Sequence, residues 1–194
     1  MPCRVETFTR SKKRNEEAFA MKVGTLDKLQ QAACADAMRP FYLDETCFRA
    51  SRNWSPQGLT HCVGPNTHCT RSLLGALDFG KNALICATHE HSVKSPDVVQ
   101  FLDDLIQQGD DRPTVIVVDN ASIDQDTCDR WLIEHKTLLF FLQPYSPELN
   151  MIESVRKHLN YRCLRFIARS KETIDAELAE LPEVHGTKFE INFA

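Results

Sequence analysis

Long apolar runs are missing from this sequence. No segment approaches the roughly 18 consecutive apolar residues that a transmembrane helix requires. The N-terminal residues Met1 to Glu6 also lack the apolar stretch of a secretory signal peptide. Together these absences predict a cytoplasmic protein without a membrane partner.

Paired cysteine motifs are missing as well. The eight cysteines lie at irregular spacings, and no two of them form a Cys-x-x-Cys pair. A disulfide framework requires an oxidising compartment, which the absence of a signal peptide argues against. We therefore interpret most of the cysteines as small buried hydrophobes. Internal repeats and low-complexity segments are also absent.

What remains is the composition of an ordinary globular protein. The chain has 194 residues, of which 42% are hydrophobic and 26% are charged. These fractions exclude a collagen-like, a mostly disordered and a coiled-coil protein. The length is sufficient for one domain with its own core. We predict a helical, basic lead-in over residues 1–39 and one folded domain over residues 40–194.

The net charge of -4 conceals two segments of opposite sign. Residues 97–134 carry ten acidic side chains against Arg112 and Arg130, whereas residues 153–171 carry six basic side chains against Glu153 alone. A bound polyanion senses such local fields rather than the total charge. The basic segment therefore suits nucleic-acid phosphates, although a solvated helix face would have the same composition.

The order of predicted elements indicates an α/β fold with a sheet of mixed direction. Apolar residues recur at helical spacing over residues 13–38, 95–109, 124–135 and 150–167, and strand-like runs lie near residues 41–48, 59–63, 71–79, 82–88, 114–119 and 137–142. An antiparallel meander thus precedes a βαβ arrangement, with flanking helices. Right-handed crossovers would place the strands near residues 43 and 117 side by side, as in a ribonuclease H-like sheet.

Three carboxylates occur where such a sheet would bring them together. Asp44 lies within one predicted strand, Asp119 ends another, and Glu153 lies in the first turn of the helix after the last strand. Open α/β sheets bind ligands at the carboxyl ends of their strands. Converging carboxylates repel one another unless hard divalent cations such as Mg²⁺ or Mn²⁺ lie between them. Two such ions support phosphodiester cleavage and transfer.

Three segments carry a family resemblance. They are YLDET at residues 42–46, VVDNAS at residues 117–122 and PYSPELNMIE at residues 144–153, with 33 residues between Asp119 and Glu153. These blocks and their interval resemble the catalytic blocks of DDE transposases of the mariner-like superfamily, and most nearly the bacterial insertion sequence 630 branch. Shorter matches are WSPQG at 54–58, LGAL at 74–77 and EINF at 190–193, so the resemblance covers about residues 12–193.

The resemblance implies the catalytic domain of a cut-and-paste DNA transposase. Such an enzyme cleaves the ends of a mobile element and transfers the freed 3′-hydroxyl to target DNA, here at a TA dinucleotide. By the resemblance, Asp44, Asp119 and Glu153 are the catalytic residues and hold two Mg²⁺ or Mn²⁺ ions. Further candidates to support the site are Asn120, Ser122 and Tyr145.

The partners implied are double-stranded DNA, both the terminal inverted repeats and the target, and a second copy of the chain. Candidate phosphate contacts are Arg156, Lys157, Arg162, Arg165 and Arg169; family members often carry Trp where this chain has Arg156. Only about 40 residues precede Asp44, whereas such transposases carry N-terminal helix-turn-helix modules. We expect either that an upstream polypeptide supplies those modules or that they have been lost. The expected location is the nucleoid.

Each acidic residue also has a simpler interpretation. Asn150 and Glu153 have the spacing of a capping box, and Asp119 has the position of a residue that caps the following loop. Because side chains alternate along a strand, only one of Asp44 and Glu45 can face the site. The resemblance selects Asp44.

Histidine and cysteine residues suggest a zinc site only weakly. His61, Cys62, His68 and Cys69 form one group, and Cys86, His89 and His91 form another. His89 and His91 are two residues apart, so on a strand both would face the same side. The spacing fits no common zinc module, which favours ordinary turn and surface residues.

Two other functions remain consistent with the sequence. One is a catalytically inactive remnant that keeps the fold and binds DNA. The other is a different two-metal nuclease on the same ribonuclease H-like fold.

Overall fold

The computed structural model of the protein describes residues 15–49, 70–119, 123–157 and residue 182. Its elements are α1 Glu16–Cys34, β1 Arg39–Arg49, β2 Thr70–Asp78, β3 Ala83–His89, α2 Ser95–Gln107, β4 Thr114–Val118, α3 Gln125–His135 and β5 Thr137–Phe141. A 3-10 turn, Pro147–Leu149, leads into a further helix, α4, that begins at residue 152 and is described to residue 157. The strand predicted near residues 59–63 lies outside the described residues.

The five strands form one mixed sheet with the spatial order β3-β2-β1-β4-β5. β1, β2 and β3 are a consecutive antiparallel meander, while β1, β4 and β5 run parallel. The helices α2 and α3 provide the long connections that parallel strands require. The predicted mixed α/β sheet is confirmed, including the adjacency of the strands near residues 43 and 117.

Helices cover the sheet on both faces, so the core has two halves. On one face, Leu26 of α1 and Ile152 and Val155 of α4 pack on Tyr42 and Val117. The cluster on the other face contains residues of α2, α3 and the sheet: Phe101, Leu102, Leu105, Trp131, Phe41, Leu43, Leu74, Ala76, Ile116 and Val118. Every residue of β4 is buried, as expected for a parallel strand covered on both faces.

Local signals explain where helices begin. Asn15 accepts hydrogen bonds from the backbone of Glu17 and Ala18 at the start of α1, and Asp124 accepts one from Thr127 at the start of α3. These contacts satisfy amides that have no partner within the helix. No helix among the described residues is long and apolar enough to cross a membrane.

The helix α1 packs against the sheet. Gln30 donates a hydrogen bond of 2.9 Å to the hydroxyl of Tyr42, and Leu26 is buried in the core. The predicted division at residue 39 stays a prediction, but α1 shares a hydrophobic core with the strands that follow it.

Candidate active site

Asp44 and Asp119 lie on adjacent parallel strands at the same level. Tyr42 of β1 pairs with Val117 of β4, and each aspartate follows its paired residue by two positions. Tyr42 and Val117 belong to the same core cluster, so alternation places Asp44 on that face of the sheet as well. Asp119 is exposed immediately beyond the last residue of β4. The topology therefore brings two of the three predicted acids to one place.

Glu153 reaches this face from the first turn of α4. Its residue is only 8% exposed, and its neighbour Ile152 packs into the core on the same side of the sheet. The preceding Asn150 is buried and donates a hydrogen bond of 2.9 Å from Nδ2 to the carbonyl of Leu43, next to Asp44. Asn150 thus holds the start of α4 against β1.

This bond bears on the capping-box interpretation of Glu153. A capping box would require the Asn150 side-chain oxygen to accept from the backbone of Glu153. Instead, Oδ1 of Asn150 has no hydrogen-bond partner, and the Glu153 amide donates to the backbone carbonyl of Asn150. The capping box is therefore absent, and a helix cap does not account for Glu153.

Asp44 faces a small pocket on the sheet surface. The pocket is lined by Asp44, Thr46, Gly75, Cys86, Ile152 and Arg156, among others. Glu45 faces the opposite side, where its carboxylate accepts a hydrogen bond from the thiol of Cys47. Of these two neighbours, it is therefore Asp44 that faces the pocket.

Arg156 lies one helical turn from Glu153 and contacts two of the acids. Its Nη2 atom is 2.7 Å from Oε1 of Glu153, and its Nε atom is 3.4 Å from Oδ2 of Asp44. The second contact forms no hydrogen bond, since both atoms are buried without a hydrogen-bond partner. The guanidinium therefore occupies the space between the two carboxylates.

The charges explain the protonation behaviour of Asp44. The pKa of Asp44 is raised to about 6, mainly by burial; the charge of Arg156 opposes the rise, and the negative charges of Glu153 and Asp119 add to it. A carboxyl group with such a pKa resists ionisation unless positive charge is supplied nearby. The electrostatic effect of Asp119 also shows that the two aspartates are near enough to influence one another.

Some of the remaining predicted site residues lie within the described residues and others lie outside them. Tyr145 lies in the turn before α4 with a φ of 64° and a side chain that is half exposed. Lys157 is exposed on α4. Outside the described residues are Asn120, Ser122, Arg162, Arg165 and Arg169.

Two residues at the site were not identified as functional from the sequence. The sequence indicates Asn150 only as a candidate helix cap and Gly75 only as part of a short family match. Gly75 pairs with Asp44 across β1 and β2, and an added Cβ atom would lie 3.2 Å from Ile152 Cδ1. A glycine inside a strand is a known sign of close approach, which could have drawn attention to this position.

A comparison with known protein families finds a match for this chain. A family model described as DDE superfamily endonuclease matches residues 39–175, which include Asp44, Asp119 and Glu153. A search of curated proteins by sequence finds no match.

Solved structures of Mos1 complexes have a similar fold. The Mos1 strand transfer complex aligns with a TM-score of 0.60 at 16% identity, covering 87% of this chain and 55% of that chain. The Mos1 mariner paired end complex with Mn aligns with a TM-score of 0.60 at 15% identity, covering 87% and 56%. A pre-cleavage Mos1 transpososome aligns with a TM-score of 0.58 at 15% identity, with the same coverage.

The similarity confirms the ribonuclease H-like fold predicted from the sequence. At these identities it concerns the fold alone. The chain spans about half the length of the Mos1 chains that it matches.

Proposed function

Because this chain belongs to the DDE superfamily endonuclease family, we propose that it is the catalytic domain of a cut-and-paste DNA transposase. It would hydrolyse a phosphodiester bond at each end of a mobile element and then join the freed 3′-hydroxyl to target DNA. Asp44, Asp119 and Glu153 would be its catalytic residues.

One observation carries the proposal. Asp44 and Asp119 are level on adjacent parallel strands, and Glu153 reaches the same face from α4, which Asn150 anchors to β1. These acids come from three separate elements, and the observed contacts exclude a helix-cap role for Glu153. Such convergence of like charges is costly for folding and is typical of a functional site.

The residues present fit divalent cations. All three candidate ligands offer carboxylate oxygens, which Mg²⁺ and Mn²⁺ prefer. Asp44 Oδ2 is buried without a hydrogen-bond partner, so it has lone pairs to offer. When bound, two such ions would supply Lewis acidity on both sides of the scissile phosphate.

The protein side chains would hold and orient the reacting groups. Asp44 would be held within β1, and Asp119 would be held at the end of β4, whose residues are all buried. Glu153 would be positioned by the Asn150 contact with Leu43. The ions and the DNA would require Arg156 to leave its place between the carboxylates.

The family resemblance suggests the DNA partners. We propose that the chain acts on the terminal inverted repeats and on target DNA, as a homodimer and together with a helix-turn-helix polypeptide. Lys157 and the basic positions Arg162, Arg165 and Arg169 would contact phosphates. The proposed location is the nucleoid.

The test is metal-dependent nicking of a duplex that carries the element ends found beside the coding region. We expect nicking by the chain, joined to the upstream helix-turn-helix polypeptide, with Mg²⁺ or Mn²⁺. Asp119→Asn should abolish it. Asp124→Asn is the matched control because Asn can replace the cap at α3. Nicking that survives in Asp119→Asn would refute this site.

Arg156 favours a second candidate function. The Arg156 guanidinium lies between Asp44 and Glu153. A site that no longer binds metal would tolerate such a fixed cation. Metal-independent DNA binding without cleavage would identify an inactive remnant. Cleavage of any duplex, or of RNA in a hybrid, would instead identify a different nuclease of this fold.

A further inference from the structure

A second cluster of ligand-type side chains lies away from the candidate active site. His89 at the end of β3, His91 just beyond it and Asp97 in the first turn of α2 each offer one ligand atom, and these atoms all lie within 4.8 Å of one another. Nε2 of His91 is 3.2 Å from Oδ2 of Asp97, and the two imidazole rings are edge-on with centroids 5.4 Å apart. Within residues 15–49, 70–119 and 123–157, it is the one cluster of this kind.

The cluster is separate from the three acidic residues. Along β3, Ile85 and Ala87 pack against the core that includes α2, whereas Leu84 and Cys86 face the pocket beside Asp44. His89 continues the first series and therefore lies on the opposite face of the sheet from Asp44. A ligand in this cluster would not be part of the active site.

The same alternation removes Cys86 from the set of ligands considered in the sequence. Cys86 faces away from His89, and burial raises the pKa of its thiol to about 12. Since thiolates rather than thiols bind metals, Cys86 is doubly unsuitable. Asp97, which comes from the next element along the chain, takes its place.

The donor set suits a borderline transition metal. Two imidazoles and one carboxylate are found around zinc and related divalent ions, with a position left for water or another ligand. The backbone amide of Lys94 donates a 2.8 Å hydrogen bond to Asp97 Oδ2, which orients the carboxylate in the way that outer-shell contacts orient metal ligands.

A second observation concerns the imidazole ring of His89 itself. Nε2 of His89 is shut off from solvent and has no hydrogen-bond partner. Buried polar atoms without partners are uncommon, and a bound ion is one of the few ways to satisfy such an atom. His91 and Asp97 contact each other, and neither of them forms a hydrogen bond with Nε2 of His89.

We propose that His89, His91 and Asp97 bind one transition-metal ion of the zinc class, which joins the end of β3 to the start of α2. The ion would fix the entry of α2, whose residues Phe101, Leu102 and Leu105 pack on the sheet. This structural site does not depend on the proposed transposase activity, because it lies on the other face.

The test is zinc and cobalt binding by the full chain under reducing conditions, followed by calorimetry and thermal unfolding. We expect binding of one ion and a higher melting temperature, with no such effect from Mg²⁺. The variants His91→Asn and Asp97→Asn should weaken binding by roughly tenfold or more. His135→Asn, which changes an exposed histidine at the end of α3, is the control and should bind normally.

Three results would overturn the proposal. The first is an absence of zinc binding by the unchanged chain. The second is binding of undiminished affinity in both His91→Asn and Asp97→Asn, which would place the ion elsewhere. The third is a cobalt spectrum dominated by sulfur-to-metal charge transfer, which would assign the ion to cysteines.

Discussion

Arg156 places its guanidinium 2.7 Å from Glu153 and 3.4 Å from Asp44, where a divalent cation would otherwise be attracted. In this arrangement the acid oxygens of Asp44, Asp119 and Glu153 do not all lie within 4.8 Å of one another, unlike the ligand atoms of the histidine cluster. Metal binding must therefore displace the arginine and draw the acids together. The contacts of Arg156 therefore control the free-energy cost of binding the metal.

We predict that Arg156→Gln binds Mg²⁺ more tightly, by several-fold, because a competing positive charge is removed. The metal-free variant should be less stable by about 1 kcal/mol, since two largely buried acids lose their partner. Calorimetric titration and chemical unfolding measure both effects.

Lys157→Gln is the matched control for this variant. It removes the same charge from the next position, but Lys157 is exposed on α4. An Arg156→Gln variant with the Mg²⁺ affinity of the control would contradict the role given to Arg156.

The raised pKa of Asp44 predicts that the stability of the fold depends on pH. Its pKa in the folded chain is raised to about 6 from the ordinary 3.8, mainly by burial. The folded state therefore holds the proton of Asp44 more tightly than the unfolded state does. Protonated Asp44 contributes its full stabilisation below pH 3.8, and this contribution is lost as the pH rises through 6. The total is about 3 kcal/mol, of which roughly 1.4 kcal/mol is lost between pH 5 and 7.5.

The comparison variant is Asp44→Asn, which cannot titrate. With a chelator present to remove divalent metal, the pH is raised from 5 to 7.5. We expect the unfolding free energy of the unchanged chain to fall relative to that of Asp44→Asn. Urea unfolding at several pH values measures the difference. Parallel profiles for the two proteins would contradict the raised pKa.

At the scale of elements, the contact between β2 and α4 positions Glu153. Gly75 leaves room for Ile152, whose Cδ1 would be 3.2 Å from an added Cβ. We predict that Gly75→Val forces Ile152 and the first turn of α4 away from the sheet. Mg²⁺ binding should weaken, and stability should fall by about 1–3 kcal/mol.

Gly24→Ala in α1 is the control for that substitution. An added Cβ there meets nothing within 4 Å, so the helix should be stabilised by about 0.5–1 kcal/mol with unchanged Mg²⁺ binding. Normal Mg²⁺ affinity in Gly75→Val would show that α4 is not positioned through this contact.

At the scale of the whole molecule, the three acids connect distant parts of the chain. Asp44, Asp119 and Glu153 come from β1, the end of β4 and α4, so an ion that binds all three requires the folded sheet. We predict that Mg²⁺ raises the unfolding free energy by about 2.7 kcal/mol at one hundred times its dissociation constant. Denaturant unfolding at increasing Mg²⁺ measures this linkage.

The histidine cluster should not interfere with this measurement, because imidazole ligands are poorly suited to Mg²⁺. Asp119→Asn should remove most of the stabilisation, while Asp124→Asn should keep it. An equal response in Asp119→Asn would mean that the ion binds somewhere other than the three acids.

Sequence patterns were sufficient for the elements and their order because those signals are local. Alternation and β-branched runs predicted the strands, and helical spacing predicted α1, α2 and α3 near their observed bounds. Right-handed crossover then placed β1 beside β4. The two-residue period of a strand also showed that Asp44 and Glu45 face opposite sides, although it did not show which of them faces the site.

Contacts between distant residues could not be predicted in this way. Asn150 and Leu43 are 107 residues apart, and the hydrogen bond between them could not be predicted from local spacing, which indicated a capping box as an alternative. Nothing in the sequence showed that the Arg156 side chain turns towards Asp44 rather than towards solvent. These outcomes depend on how α4 packs on the sheet.

The sequence by itself determined the mixed sheet, because that depends on periodicity and spacing along the chain, and its resemblance to a family named three candidate acids. The tertiary structure alone decided that an arginine lies between Asp44 and Glu153, and that Asp97 rather than Cys86 joins His89 and His91. Side-chain neighbours across elements are set by packing, which local patterns do not encode.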